Sequence, residues 1–451
     1  MCKGTRMLTH ADAFPRKRFF LEMFTRDISV EDCILDLIDN SIDALIRTRN
    51  VDVEQLLLAH GAPAAPDDLP LVQLQVTDQR LRLTDRCGGI PEEIVAHDLF
   101  SFGHSDRYKP GVLGAYGIGM KRALFKLGEH FELRSRTRDG GFTVALDVAD
   151  WARNDRLRHH WQVPVGPGRS ARSLRDAGTD ISISRLRSDV KQRLRDPMTL
   201  TRLQRNVAQA YTLFLERAVR IEVNESPVHP DPLPLGESLE VRPGIERYTD
   251  GGVDVILMAS LATRDAQGNW SAAKAGWYVF CNGRLVVPAD KSDLTGWGSV
   301  LPQWHSKYMG FLGVAFFSAP NPLDLPWTTT KRGLNWESPV YQEAKNRMVA
   351  LSRPVLNFLN RMYSSELPER PGERDMAQGV ELARVGDVAT RAGARFTAPA
   401  RRARGRDTVS VQFTAATDDV ERAKKRLDKP NWGAGRVGKH CFDHFLKREC
   451  P

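Results

Sequence analysis

Four segments carry residues whose types and spacing could do chemistry. In DCILDLIDNSIDAL, Asp32, Asp36, Asn40 and Asp43 recur at intervals of four, four and three, which sets four oxygen-bearing side chains on one helical face, opposite an apolar stripe. Such a face either meets water or holds a hard cation of the Mg2+ type, which takes oxygen ligands and arrives with substrate phosphates. In LRLTDRCGGIP a strand ends at Asp85 and enters a turn containing Gly88 and Gly89. A carboxylate there can accept from a base amino group, although Asp-Gly turns are also common for purely local reasons. In GVLGAYGIGMKRALFKLG, Gly111, Gly114, Gly117 and Gly119 precede a helical run from about Met120. Glycines allow close backbone approach, a helix start offers free N–H groups to phosphate, and Lys121 adds a cation. The spacing is neither the Rossmann fingerprint nor the Walker lysine-hydroxyl pair. In AGTDISISRL a Gly178-Thr179 turn opens a strand. Each segment alone has an ordinary structural explanation; their order along one chain gives them weight together.

The elements that must position these residues form a mixed α/β pattern. Ile34, Leu35, Ile38, Ile42 and Leu45 mark an early amphipathic helix. VQLQV and LRLTD are short alternating strands; HFELRSRT, FTVALDVADW and TDISISRL are further strands, and a helix is expected from about Leu200 to Arg217. VHPDPLPLGES reads as a domain boundary. Beyond it VDVILMASL, GWYVFCNGRLVV and FLGVAFFS are strand-like, and a long helix is expected from about Ser338 to Tyr363. LPERPGERDMAQG to RRARGR has few bulky apolar residues and reads as a linker, followed by a strand at VSVQF and helices at VERAKKRL and HCFDHFLKRE. The expected organisation is 1–232, 233–366, a basic linker 367–410 and a small element 411–451.

With 451 residues, 41% hydrophobic and 27% charged, the composition excludes wholesale disorder. Six cysteines form no CxxC pair, which speaks against a disulfide framework or zinc ribbon. His440 and His444 lie four apart near Cys441 and Cys450 but lack a convincing second ligand pair. No signal peptide and no run of about 18 apolar residues is present, so a cytoplasmic protein is expected. The net charge of +9 is uneven. From Arg391 to the end, fifteen Lys and Arg face seven Asp and Glu, whereas the first 390 residues hold 50 basic and 49 acidic side chains. A neutral body with a basic tail, including Arg391, Arg395, Arg401, Arg402, Arg404 and Arg406, favours contact with a polyanion.

Taken in order, DLIDNSIDA, DRCGGI, GAYGIG and GTDISI resemble the four motifs of the GHKL superfamily: DNA gyrase, heat-shock chaperones, histidine kinases and MutL. The resemblance covers about Arg18 to Val228. It implies a Bergerat-type α/β sandwich that binds ATP beneath a flexible lid. It further implies Asn40 as the Mg2+ ligand, Asp85 as acceptor of the adenine amino group, and Gly89 as the point where the base meets the backbone. Gly114, Gly117 and Gly119 would form the lid that wraps the phosphates, Thr179 would bond beside Asp85, and Lys121, which follows the lid glycines, would serve the phosphates. Asp36 stands where hydrolysing members carry the glutamate that orients water, one methylene shorter. Cys87 replaces the usual first glycine of the second motif and is expected to be a small packing residue. YVFCNGRLVV and LPWTTTKRGLNWES resemble the transducer domain of the gyrase and MutL branch, which implies that Lys331 reaches the γ-phosphate from a loop stiffened by Pro326 and Trp327. The implied activity is that of a slow Mg2+-dependent ATPase working as a dimerising clamp or switch in DNA repair or defence, with nucleic acid on the tail and a companion effector protein as further partners. A chaperone-like or regulatory subunit acting on a protein partner, and a non-hydrolysing ATP sensor, are the alternatives.

Overall fold

The computed structural model describes residues 15–58, 68–101, 111–114, 117–153, 161–363, 379–398 and 414–449. The chain divides into two units, Met1–Pro399 and Ala400–Pro451.

The first sheet of the larger unit is built from β1 (Leu71–Val76), β2 (Arg80–Asp85), β3 (Gly128–Arg136), β4 (Gly141–Asp147), β5 (Gly166–Pro167), β6 (Gly178–Leu186), β7 (Arg220–Val223) and β8 (Ser226–Pro227). Their order is β5-β4-β3-β6-β2-β1-β7-β8. All pairs are antiparallel except β1 with β7. Alternation in β2 buries Leu81, Leu83 and Asp85 on one face, as the period of a strand requires. The same part of the chain carries the helices α1 (Lys17–Arg26), α2 (Val30–Arg49), α3 (Val53–Leu58), α4 (Glu92–His97), α5 (Gly119–Leu127), α6 (Val148–Arg153), α7 (Ser188–Arg195), α8 (Pro197–Ala210) and α9 (Thr212–Arg217). α2 packs on α5 and β2, and α5 on β3 and β6.

α2 carries the acidic residues. Ser29 caps its start by accepting from the Asp32 N–H at 3.0 Å, and Asn50 ends it in the left-handed region at φ 47°. Ile34, Leu35, Ile38, Ile42 and Leu45 are fully buried, as the sequence predicts. The polar side is not a hydrated face, however: Asp36, Asp39 and Asp43 are also buried.

β9 (Gly236–Glu237) lies outside the second sheet, which comprises five strands, β10 (Gly244–Asp250), β11 (Val253–Leu261), β12 (Gly276–Cys281), β13 (Arg284–Asp290) and β14 (Phe311–Ser318), in the order β10-β11-β14-β12-β13. The long helix α10 (Pro339–Tyr363) packs on β10, β11 and β14. Trp277 lies across β14 at Gly313, where a Cβ would come within 2.4 Å of the indole, and its N–H donates to Ser352 of α10 at 3.2 Å.

Four expectations meet different outcomes here. The helix expected over 200–217 is two helices broken at Tyr211, whose hydroxyl is directed into α2. FTVALDVADW stops being a strand at Asp147, whose carboxylate accepts from the Asp150 N–H at 2.9 Å and starts α6. GWYVFCNGRLVV is a hairpin, since Asn282 and Gly283 take positive φ, the two-residue turn that Asn-Gly favours. Residues 379–398, read as linker, are folded onto the larger unit. Within them β15 (Glu381–Leu382) pairs with β9, and α11 (Val385–Ala389) packs on α3 with Val388 and Ala389 buried. Backbone pairs join Ala394 to Ile245 and Thr397 to Arg242. Arg391 donates to Glu237 with both Nη atoms, so it belongs to this clasp and not to a free basic tail.

In the smaller unit, α12 (Thr417–Leu427) and α13 (Ala434–Glu449) pack on each other. His440 stands edge-on to Trp432 with 5.6 Å between ring centroids. Among the described residues no His/Cys/Asp/Glu group is arranged to hold a metal. Cys450, the VSVQF strand and Arg401, Arg402, Arg404 and Arg406 lie outside the described residues.

Candidate nucleotide site

The aspartates of α2 are answered by partners from several elements. Asp32 pairs with Arg332. Asp36 accepts from Arg122 of α5 at 3.1 Å. Asp39 accepts from Tyr211 at 2.7 Å on Oδ1, and on Oδ2 from both Arg284 and Lys331, the latter at 2.6 Å. Asp43 accepts from the backbone N–H groups of Leu113 at 2.6 Å and Gly114 at 2.9 Å. Protein cations and amides thus take the repulsion that a free acidic face would suffer.

The electrostatics sort these carboxylates. Burial pushes Asp36 above the ordinary carboxylate range, against the pull of Lys331. Burial likewise raises Asp43, against the pull of Lys331 and the Leu113 amide. At Asp39 burial acts in the same sense, but Arg284 and Lys331 outweigh it and hold the group below that range. Asp39 is therefore a firmly ionised seat for two cations.

Lys331 comes from the loop after β14. Trp327 is buried and donates to Pro322 O at 2.9 Å, and backbone bonds Thr328 N to Gly333 O and Asn335 N to Pro326 O close the loop as a hairpin. Lys331 itself sits at φ 54°, an uncommon conformation for a side chain of this kind. The next residue is Arg332, so two successive cations meet α2 at Asp39 and Asp32, two helical turns apart.

The other sequence-selected residues fall around the same helix. Asp85 is buried at the end of β2. Its Oδ1 accepts from the N–H groups of Cys87 at 2.9 Å and Thr179 at 3.2 Å, and its Oδ2 from Ser41 at 2.9 Å. Two carboxylate oxygens offer about four acceptor positions, so Oδ2 keeps one for a further donor. Burial raises the Asp85 carboxyl despite these bonds. Cys87 is buried, and the positive φ values fall on Gly88 and Gly89 instead. A Cβ at Gly89 would stand 2.4 Å from Arg136 O, and one at Gly178 would stand 1.9 Å from Asp85 O. Asn40 donates through Nδ2 to Asp36 O at 2.5 Å, which leaves Oδ1 as its acceptor atom.

Of the lid, Gly111–Gly114 and the residues from Gly117 are described. Gly117 has φ 59°. A Cβ at Gly114 would come 2.7 Å from Asp43 Oδ2, and one at Gly119 3.1 Å from Asp36 Cγ. Glycine is therefore what lets the lid root and the start of α5 lie on the acidic helix. Lys121 has other partners than phosphate: its Nζ donates to Ser101 O at 2.5 Å and Asp98 O at 3.4 Å, and burial lowers its pKa to about 8.

A family model described as Histidine kinase-, DNA gyrase B-, and HSP90-like ATPase matches residues 28–164. Residues 28–164 are a GHKL-like ATPase domain. The match takes in Asp36, Asn40, Asp85 and the lid glycines and ends before Thr179 and Lys331. No curated protein matches the chain. GHKL domains bind ATP, typically with Mg2+. The donor set suits such ligands: one acceptor position at Asp85, one amide oxygen at Asn40, glycines beside the helix start and a lysine on the acidic row. Among the described residues no helix is long and apolar enough to cross a membrane.

Sequence reasoning passed over Asp39, Arg122, Tyr211 and Arg284. Asp39 lies seven residues after Asp32, which was a usable signal. Arg284 follows an Asn-Gly pair that marks a turn. Nothing in spacing alone ties Tyr211 or Arg122 to this site.

Proposed function

We propose that the chain is an ATP-gated switch with slow Mg2+-dependent ATPase activity, in which two copies associate when the lid closes and separate after hydrolysis. The observation that supports this most is the position of Lys331. A loop of the second domain delivers its ammonium to α2, the helix that also carries Asn40, where Asp39 Oδ2 accepts from it at 2.6 Å. A terminal phosphate arriving at α2 competes with Asp39 for that lysine, so the second domain registers whether the phosphate is present.

In this reading Asp85 Oδ2 accepts from the adenine amino group, and Gly89 lets the base approach the backbone. Asn40 Oδ1 would hold Mg2+, which when bound neutralises phosphate charge. The N–H groups at the start of α5, with Gly117 and Gly119, face the phosphates. Lys331, and not Lys121, is the cation for the terminal phosphate. Asp36 orients the attacking water once Arg122 releases it; its short reach and this ion pair make turnover slow. The basic residues after Ala400 hold nucleic acid, which fits a role in DNA repair or defence. Light scattering with Mg2+ and a non-hydrolysable ATP analogue tests the switch: dimers are expected, and monomers at high concentration overturn it.

The Asp36–Arg122 pair also favours a second reading, a non-hydrolysing ATP sensor, because a neutralised carboxylate is a poor base. Steady-state phosphate release separates the two. A rate in Asp36→Asn equal to that of the unaltered chain supports the sensor; a clear drop supports the ATPase.

A further inference from the structure

The β12–β13 turn touches both Val112 at the lid root and Asp39, the carboxylate that holds Lys331. Asn282 is fully buried; its Nδ2 donates to Val112 O of the lid root at 3.2 Å, while its Oδ1 accepts from Ala319 N at 3.0 Å. Val53 lies between turn and lid root, since added Cβ atoms at Gly283 and Gly111 would meet its two methyl groups at 3.0 and 3.2 Å. Two residues along the same turn, Arg284 donates to the Asp39 oxygen that also receives Lys331.

Sharing one carboxylate oxygen has a consequence for which cation can leave. If Lys331 alone balanced Asp39, its departure would strand a buried carboxylate, which is strongly unfavourable. With Arg284 in place Asp39 stays paired. Arg284 even has capacity in reserve, because its buried Nε has no hydrogen-bond partner among the described residues, and guanidinium can meet a carboxylate with two donors. Lys331 lies on a loop and at positive φ, whereas Arg284 opens strand β13.

We propose that the Asn282–Gly283–Arg284 turn couples lid closure to transfer of Lys331: Asn282 grips the lid root, and Arg284 keeps Asp39 paired when Lys331 moves to the terminal phosphate. Both are positioning residues and neither touches the nucleotide. This rests on the ATP reading given above.

The test compares the full chain with Asn282→Gly, which keeps the positive φ and removes the amide, and with Arg284→Lys, which keeps the charge and removes the fork. Calorimetry with Mg2+ gives the affinities for a non-hydrolysable ATP analogue and for ADP, and hydrogen exchange follows Leu113, Gly114 and residues 328–333. In the unaltered chain the analogue is expected to protect the lid root and the Lys331 loop together and to bind more tightly than ADP. In each variant the preference for the analogue should fall about tenfold, with ADP affinity little changed, and Asn282→Gly should lose joint protection. A general loss of structure would weaken both nucleotides alike. Preference and joint protection unchanged in both variants overturn the coupling alone. Failure of the unaltered chain to bind either nucleotide overturns the ATP reading and this inference with it.

Discussion

Lys331 and Asp39 stand 292 positions apart in sequence, yet the lysine Nζ lies 2.6 Å from the carboxylate Oδ2, with both side chains buried. This bond joins the loop after β14 to α2, the helix that carries Asn40 and Asp36. A buried lysine held by one carboxylate is poised to change partner, because a phosphate offers it more negative charge at similar distance.

Asp85→Asn should weaken ATP binding by about two orders of magnitude, since a donor then stands where Ser41, two backbone amides and the base all need an acceptor. Isothermal calorimetry reads this directly. Undiminished affinity would remove Asp85 from the adenine site.

Gly178→Ala should destabilise the larger unit by about 3 kcal/mol, because its Cβ would collide with the Asp85 carbonyl oxygen and move the strand end. Gly268→Ala is the comparison: its φ of +79° is strained, but nothing lies within 4 Å of the added carbon. Urea denaturation should place Gly178→Ala clearly lower; equal midpoints would contradict the tight β2–β6 contact.

Much of this architecture was legible from the chain itself, and the reasons are local. Periodicity marks α2 and the strands β1, β2, β3 and β6, because one-sided burial writes itself into alternation, whereas β11 and β14 stand out as continuous apolar runs because both their faces are buried. The oxygen-bearing residues of α2 were legible as a row, but their burial was not: it depends on Arg122, Arg284 and the Lys331 loop, which arrive from distant sequence. The 379–398 clasp was missed because it packs through the small side chains Val388 and Ala389 and through backbone pairing, neither of which raises hydrophobic periodicity.

Lys121 supplies a pH signature. Burial holds its folded-state pKa at about 8, below the ordinary 10.5. Below about pH 8 both folded and unfolded chains carry the proton and the folded state bears the full penalty. Between there and 10.5 only the unfolded chain holds it, so this group makes stability rise with pH in that window. Thermal melts of the unaltered chain and Lys121→Met at pH 7, 8, 9 and 10 should converge as pH rises, with the variant relatively more stable at pH 7. A difference independent of pH would contradict the assigned shift.

Removing Ala400–Pro451 should abolish nucleic-acid binding and leave the melting temperature of the larger unit unchanged, because the cut falls beyond the Arg391–Glu237 clasp. Binding by the full chain should weaken steeply between about 50 and 200 mM salt as phosphate counterions are released and retaken. Full-strength binding after the truncation, measured by fluorescence anisotropy on labelled duplex, would place the nucleic-acid contact elsewhere.

The central claim is that Lys331 exchanges Asp39 for the terminal phosphate. A crystal structure of the chain with Mg2+ and a non-hydrolysable ATP analogue measures it most directly. The account predicts Lys331 Nζ within hydrogen-bond distance of the γ-phosphate, with Arg284 still on Asp39; nucleotide bound beneath a closed lid with Lys331 remaining on Asp39 would contradict it.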